Sequence, residues 1–417
     1  MTISEIHALF LKSHGVCTDT RNITKNCLFI ALKGANFDGN KFAYKAIESG
    51  ARYALVDDTA HITSNQIILV SNTLETLQQL ANYHRRFLNI PIVALTGSNG
   101  KTTTKELIAK VLSKKYNTVA TIGNLNNHIG VPLTLLSMNK TTDIGIVEMG
   151  ANHLKEIELL ASIAEPDYGY ITNFGKAHLE GFGGLEGVIK GKSELYAFLE
   201  KTNGKAFVNP NDSIQQEKTQ NLTSLMLNSN ARILSSNPFL EIQYNTDRLK
   251  TNLIGAYNFS NILAAISIGE YFQVAKKDIQ TAIFSYIPSN NRSQIVRKGS
   301  HTILLDAYNA NPSSMKVALE NFSQMNAHRK NVVLGDMFEL GTSSDNEHQK
   351  IATFAELLPF AQVILIGEHF SKVKTSKASK YLNFEAFKIS FKTDSSSTYL
   401  IKGSRGMALE RIVALFD

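Results

Sequence analysis

The chain has 417 residues, 43% of them hydrophobic and 19% charged, which is the composition of a soluble globular protein with room for two to four separately packed domains. Its net charge of +7 suits an anionic ligand, but the lysines and arginines are scattered, without the basic block or basic–aromatic stripe of a nucleic-acid binder. Two cysteines, Cys17 and Cys27, exclude a disulfide framework and a cysteine-based zinc site and point to a reducing compartment.

The first residues lack the basic region of a signal peptide, and no apolar run approaches membrane-spanning length. The expectation is a cytoplasmic protein with no membrane insertion. In chain order, Leu28-Phe-Ile-Ala-Leu32, Tyr53-Ala-Leu-Val56 and Ile67-Ile-Leu-Val70 read as strands, with helices over 42–49 and 74–87. These make a first small α/β domain over 1–88, closed by Asn89-Ile-Pro91. A second domain, 89–290, alternates strand and helix as a doubly wound parallel sheet does, with strands at 92–96, 144–149 and 167–172 and a helix-rich stretch after Gly255. Ile287-Pro-Ser-Asn-Asn-Arg292 reads as a linker. The third domain, 291–417, has strands at 302–306, 331–335 and 363–367, each followed by a helical stretch. That is a Rossmann-like unit without the Gly-x-Gly-x-x-Gly fingerprint, so it is not read as a dinucleotide site. The fold class is α/β in three domains.

The chemistry concentrates in Val93-Ala-Leu-Thr-Gly-Ser-Asn-Gly-Lys-Thr-Thr-Thr-Lys-Glu106. An apolar strand runs into a turn in which Gly97 and Gly100 let backbone N–H groups face phosphate oxygens. Lys101 supplies a positive charge and Thr102 a hydroxyl for Mg²⁺. Leu95 stands where the standard pattern has its first glycine, so this is a variant phosphate loop that binds a nucleoside triphosphate. Ile144-Gly-Ile-Val-Glu-Met-Gly150 places Glu148 at the end of a neighbouring strand, where a carboxylate holds Mg²⁺ or is simply solvated. His178, in Ala177-His-Leu-Glu-Gly181, reads on spacing alone as structural, and Lys192 as an exposed helical lysine.

Together these stretches resemble the ATP-dependent Mur ligases of peptidoglycan synthesis. Gly255-Ala-Tyr-Asn-Phe-Ser-Asn261, Asp306-Ala-Tyr-Asn-Ala-Asn-Pro312, Gly335-Asp-Met-Phe-Glu-Leu-Gly341 and Lys402-Gly-Ser-Arg405 continue the likeness through the whole chain. Gly123-Asn-Leu-Asn-Asn-His-Ile-Gly-Val-Pro-Leu-Thr134 and the last three of those favour the branch that adds D-alanyl-D-alanine to UDP-N-acetylmuramoyl-tripeptide. The resemblance implies transfer of the ATP γ-phosphoryl group to a peptide carboxylate, then attack of an amine on the acyl phosphate. It also implies roles in cell-wall biogenesis, cell shape and cell division, and a monomer is the expected state.

By similarity, Lys101, Glu148, His178 and Lys192 are catalytic. Gly97, Ser98, Asn99, Gly100, Lys101, Thr102 and Thr103 take the phosphates, with Asn258, Asn261, Arg292 and Asp306 on the rest of ATP. Two Mg²⁺ ions are implied, one on Thr102 and Glu148, the other served by His178 and by Lys192 carrying a CO₂-derived carbamate. Thr20, Arg21, Lys33, Asp38 and Asn40 are implied in UDP binding, and Asn124, Asn126 and Asn127 in the UDP-sugar or peptide channel. Asn309, Asn311, Asp336, Glu339 and Arg405 are expected near the dipeptide. Tyr257 and Asn291 depart from the family's usual His and Gly. Other readings are a sister ligase adding meso-diaminopimelate or lysine, or polyglutamylating folate, a P-loop regulatory ATPase, and a catalytically dead scaffold.

Overall fold

A computed structural model describes residues 1–228, 230–393 and 396–416, so that Asp417 of the expected third domain lies outside the described residues. The chain is organised around three parallel-stranded sheets, each with the C-terminal ends of its strands available for ligand loops. The first has four strands in the order Val16–Cys17, Leu28–Ile30, Tyr53–Val56, Ile67–Leu69. The long helix Thr73–Leu88 leaves it. Asn72 caps the start by accepting from Glu75 N, and Asn89 in a left-handed conformation (φ 49°) ends it two residues before Pro91.

The second sheet has six parallel strands, in the order Thr223–Met226, Lys205–Val208, Tyr168–Ile171, Ile92–Thr96, Ile144–Glu148, Thr118–Ala120. After Ile92–Thr96 the chain winds to one side of that strand and then crosses to the other. The crevice at its end is therefore the place where an open α/β sheet takes a ligand. All five residues of Ile92–Thr96 and of Ile144–Glu148 are buried, as strands covered by helices on both faces require.

A three-stranded antiparallel sheet, Ala231–Ser235, Phe239–Tyr244 and Asp247–Ile254, departs from the parallel α/β pattern expected throughout this region. Its period-two signal is carried by Leu240, Ile242 and Tyr244, buried alternately against the helix Asn258–Tyr271, while the intervening Glu241 and Gln243 are only partly buried. The third large sheet orders Gln294–Lys298, His301–Asp306, Thr398–Lys402, Lys330–Gly335, Gln362–Ile366 and Ser379–Tyr381, parallel except for the first strand.

Apolar packing is unevenly shared. Ile6, Phe10, Leu77 and Leu80 from the first unit lie in one cluster with Val131, Leu135 and Ile157 from the second. The third unit has two cores, one built around Leu334 and Leu400 on one face of its sheet, which also takes in Ile254 and Leu179 of the second unit, and one around Val333 and Ile401 on the other. Among the described residues no helix is long and apolar enough to cross a membrane.

Candidate active site

The turn after Ile92–Thr96 is shaped by two glycines that no other residue could replace without displacement. Gly97 has φ 139°, and a Cβ there would lie 2.0 Å from Thr172 Oγ1 and 2.9 Å from Thr172 N. Gly100 has φ 81°, and its Cβ would meet Asn261 Oδ1 at 2.7 Å. The strand Tyr168–Ile171 braces the turn through the residues that follow it. Ser98 N donates to Asn173 O (3.0 Å), and Thr172 Oγ1 and Asn173 Nδ2 donate to Asn99 O (2.6 and 3.0 Å). Gly100 starts the helix Lys101–Leu112 with no side-chain cap, leaving the positive end of the helix to the cavity. Lys101 Nζ donates to Gly97 O at 2.6 Å, and burial pulls its pKa below the ordinary lysine value while Glu148 opposes that shift.

Glu148 is 1% exposed. Its Oε1 accepts from Asn126 Nδ2 (2.8 Å) and Thr102 Oγ1 (3.3 Å), whereas Oε2 is buried without a hydrogen-bond partner. Lys105 Nζ, itself buried, lies 3.9 Å from Oε2. A buried carboxylate oxygen left without a donor, beside a threonine hydroxyl and on the wall of a cavity, is chemically suited to one hard cation. Among the described residues there is no group of three or more His, Cys, Asp or Glu side chains able to hold a metal by themselves.

Lys192 is not the exposed helical lysine its spacing suggests. It is fully buried in Leu185–Lys201, donates to Ala151 O at 3.0 Å, and sits 5.0 Å from the Phe182 ring centre. Burial first, and then the charge of Lys101, pull its pKa well below the usual lysine range. It lies behind the cavity wall rather than on it. His178, in a left-handed conformation at the start of a short helix, hydrogen-bonds Glu339 of the third unit through Nδ1. That bond holds the Glu339 carboxyl below the ordinary glutamate range.

The remaining nucleotide candidates meet from two units. Asn261 Nδ2 donates to Asn258 Oδ1 (2.8 Å) and Thr104 Oγ1 donates to Asn261 Oδ1 (3.0 Å), so the two amides form one fixed ledge beside the turn. Arg292 stacks on Tyr308 at 3.6 Å, with its Nε buried and unpartnered. Asp306 accepts from Lys402 Nζ (2.6 Å) and Ser293 N (3.1 Å). Asn311 caps the helix Pro312–Gln324 and donates to Asn99 Oδ1 at 2.7 Å, so a residue of the third unit touches the phosphate loop directly.

These groups enclose a cavity of about 910 Å³. Ser98, Asn99, Gly100, Lys101, Thr102, Thr103, Glu148 and His178 line it with Asn124, Asn126 and Asn127. Asn258, Asn261, Arg292, Asp306, Asn309 and Asn311 complete the set from the other side. Gly97 shapes the turn without lining the space.

Other expected residues lie elsewhere. Asp336 is 2% exposed and its carboxylate is consumed by the N–H groups of His369 and Phe370 at 2.9 Å each, so it anchors a loop instead of facing a dipeptide. Arg405 is exposed, pairs with Glu410 (3.1 Å), and stays 5.9 Å from the Tyr308 ring centre. Neither it nor Glu339 lines the cavity. In the first unit, Lys33 pairs with Asp57 (2.8 Å), and the fully buried Asn40 donates to both Asp38 and Asp57. Arg21 is bonded to Asp19, whose carboxyl it pulls down to about 2, and Thr20 opens the same short helical turn. None of this set lines the cavity. Sequence reasoning missed Lys402, Tyr308, Asn173 and Asp57. Lys402 stood in a quoted stretch, but a lysine ending a strand gives no sign that it turns inward.

A P-loop turn at the switch point of a parallel sheet, a carboxylate on the next strand end and a third unit bonded to the loop define a nucleotide-dependent α/β enzyme. Three family models match in chain order: the Mur ligase family catalytic domain over 12–92, the Mur ligase middle domain over 95–269, and the Mur ligase glutamate ligase domain over 291–409. The UDP-N-acetylmuramoyl-tripeptide–D-alanyl-D-alanine ligase of Bacillus subtilis is 34% identical, over 96% of this chain and 92% of that one. The crystal structure of MurF from Acinetobacter baumannii superposes with a TM-score of 0.86 at 28% identity, covering 99% and 98% of the two chains. MurF ligase from Thermotoga maritima in complex with ADP does so at 0.83 and 25% identity, over 98% and 97%. The chain belongs to the Mur ligase family.

Proposed function

We propose that the protein is an ATP-dependent ligase that joins D-alanyl-D-alanine to UDP-N-acetylmuramoyl-tripeptide, giving the pentapeptide, ADP and phosphate. The observation that carries this reading is the Asn99–Asn311 bond, which sets strand-end loops of the third unit over the phosphate loop across one cavity. The relative from Bacillus subtilis, whose name states this activity, supports the choice of substrates.

The tripeptide carboxylate attacks the γ-phosphorus, the bond to the ADP oxygen breaks, and an acyl phosphate forms. The dipeptide amine then attacks the acyl carbon, loses a proton, and inorganic phosphate leaves. Lys101 offsets the negative charge that gathers when a carboxylate approaches a triphosphate. The Asn258–Asn261 ledge and the Arg292–Tyr308 stack hold the base and ribose side. The third unit, closed over the cavity, excludes water that would hydrolyse the acyl phosphate.

Two Mg²⁺ ions, when bound, would neutralise phosphate charge, one on Thr102 and Glu148 and the other served by His178 and a carbamylated Lys192. The unpartnered Glu148 Oε2 supports the first assignment. For the second, a buried Lys192 amine is held toward its neutral form, which is the form that adds CO₂. His178 keeps Nε2 available while Nδ1 is occupied by Glu339. We assign UDP binding to 1–88, ATP binding to 89–290 and dipeptide binding to 291–417, in a cytoplasmic monomer.

The test is incubation with ATP, D-alanyl-D-alanine and UDP-muramoyl tripeptides ending in either meso-diaminopimelate or lysine, with products weighed by mass spectrometry. A pentapeptide product is expected. ATP hydrolysis unaccompanied by any peptide-bond product refutes the reading.

A further inference from the structure

We infer that Lys402, which nothing in the reaction chemistry above requires, is the positioning residue that seats the third unit on the phosphate loop. The inference rests on the ligase reading for its kinetic test but on the geometry for its argument. Lys402 ends the strand Thr398–Lys402, opposite Asp306 in parallel register and 3% exposed. A lysine is rarely enclosed this far unless its donors are satisfied. Here Nζ donates to Asp306 Oδ2 at 2.6 Å and to Asn309 O at 3.2 Å.

Those two acceptors open two chains of contact. Asp306 accepts from Ser293 N, the residue just after the linker, and Ser293 Oγ lies 2.6 Å from Tyr257 Oη of the second unit. Asn309 begins the turn that delivers Asn311 to Asn99. One ammonium thus ties the start of the Asp306–Asn311 loop to Asn309, two residues before Asn311, and with it the spacing between linker and phosphate loop. Without it, Asp306 keeps its contact with Ser293 but the loop loses its tie at Asn309, and Asn311 no longer arrives in register with Asn99.

Lys402→Met, Lys402→Arg, Asp306→Asn and the double variant Lys402→Met/Asp306→Asn test this role of Lys402. For each, kcat, the KM of each substrate, the Kd of a non-hydrolysable ATP analogue and the thermal midpoint are measured. Lys402→Met is expected to lower kcat and raise the KM for D-alanyl-D-alanine, on the order of 100-fold in kcat/KM. The KM for the UDP-muramoyl tripeptide, whose nucleotide is held by the first unit, should move less than threefold. Lys402→Arg should recover part of the loss, and the double variant should lose less than the product of the two single losses, since the Lys402–Asp306 bond is shared by both while the ties to Asn309 and Ser293 are not. A folded Lys402→Met protein with wild-type constants, or additive losses in the double variant, overturns the inference. A wild-type protein without ligase activity overturns the functional reading instead. In that event the ATP-analogue Kd still decides, with a rise of at least tenfold in Lys402→Met expected and no change refuting the inference.

Discussion

Replacing Gly97 by alanine asks the phosphate loop to do two things it cannot do together. At φ 139° the backbone is in a region that essentially only glycine occupies, and holding alanine there costs about 1–3 kcal/mol. The new methyl would also lie 2.0 Å from Thr172 Oγ1 and 2.9 Å from Thr172 N. Relief requires the loop to leave the neighbouring strand end, which breaks the 2.6 Å bond from Thr172 Oγ1 to Asn99 O, worth about 1 kcal/mol. The combined loss of about 2–4 kcal/mol falls on the conformation that binds phosphate, so ATP-analogue affinity should drop roughly 30- to 700-fold. Fluorescence titration with a labelled analogue, alongside thermal unfolding to confirm folding, measures this. Adding Thr172→Ala should restore only part, because the backbone N contact remains. A folded Gly97→Ala protein that binds within threefold of wild type refutes the reasoning.

Four further outcomes are expected. Lys101→Ala should lose about 100- to 1,000-fold or more in ligation rate with its melting curve intact, and near-normal turnover would remove the loop from the mechanism. Lys192→Ala should be nearly inactive, with partial recovery on adding a small carboxylate, and carbon-13 NMR of wild type in labelled bicarbonate should show a carbamate signal whose absence refutes the modification. In competition with D-alanine, L-lysine and meso-diaminopimelate, each with its matching acceptor, D-alanyl-D-alanine should be the group incorporated, as the activity named for the Bacillus subtilis relative leads one to expect, and preferential incorporation of any single amino acid would refute this. Finally, the buried His7, hydrogen-bonded to His84, has its pKa lowered to about 4 by burial, so the unfolded chain binds more protons between that value and about 6.5. Stability should therefore rise with pH across that window, and His7→Leu should flatten the urea-midpoint profile between pH 4.5 and 7, whereas an unaltered slope would refute it.

What the sequence disclosed follows from how local each signal is. The phosphate loop was readable because strand, glycine turn and helix are contiguous, although the residues that brace the turn, Thr172, Asn173 and Asn261, lie far off in the chain. Glu148 was readable by its place at a strand end. The same rule failed for Asp336, also at a strand end, because the choice between facing a ligand and capping 368–372 is made by a neighbouring strand's loop. Lys402 was overlooked for the converse reason. Its partners, Asp306 and Asn309, lie over ninety positions away in the chain, and only the parallel register brings them opposite. The antiparallel strands at 231–254 hid behind an expectation of parallel α/β repetition, although Leu240, Ile242 and Tyr244 alternate as a half-buried strand should.

The unequal sharing of apolar packing has a consequence for how the molecule comes apart. The first two units are fused through a common greasy interior, and separating them would expose side chains such as Phe10 and Leu135 to water. The third unit meets its neighbours through polar partners, Asn311 on Asn99, Lys176 on Glu347 and Glu339 on His178, each of which can trade its bond for one to solvent at little net loss, and through Ile254 and Leu179 of the second unit, which pack into one of its cores. A cut in the stretch around residue 288 should therefore yield two pieces that melt independently, the larger keeping the phosphate loop and the smaller losing Ile254 and Leu179 from one of its two interiors.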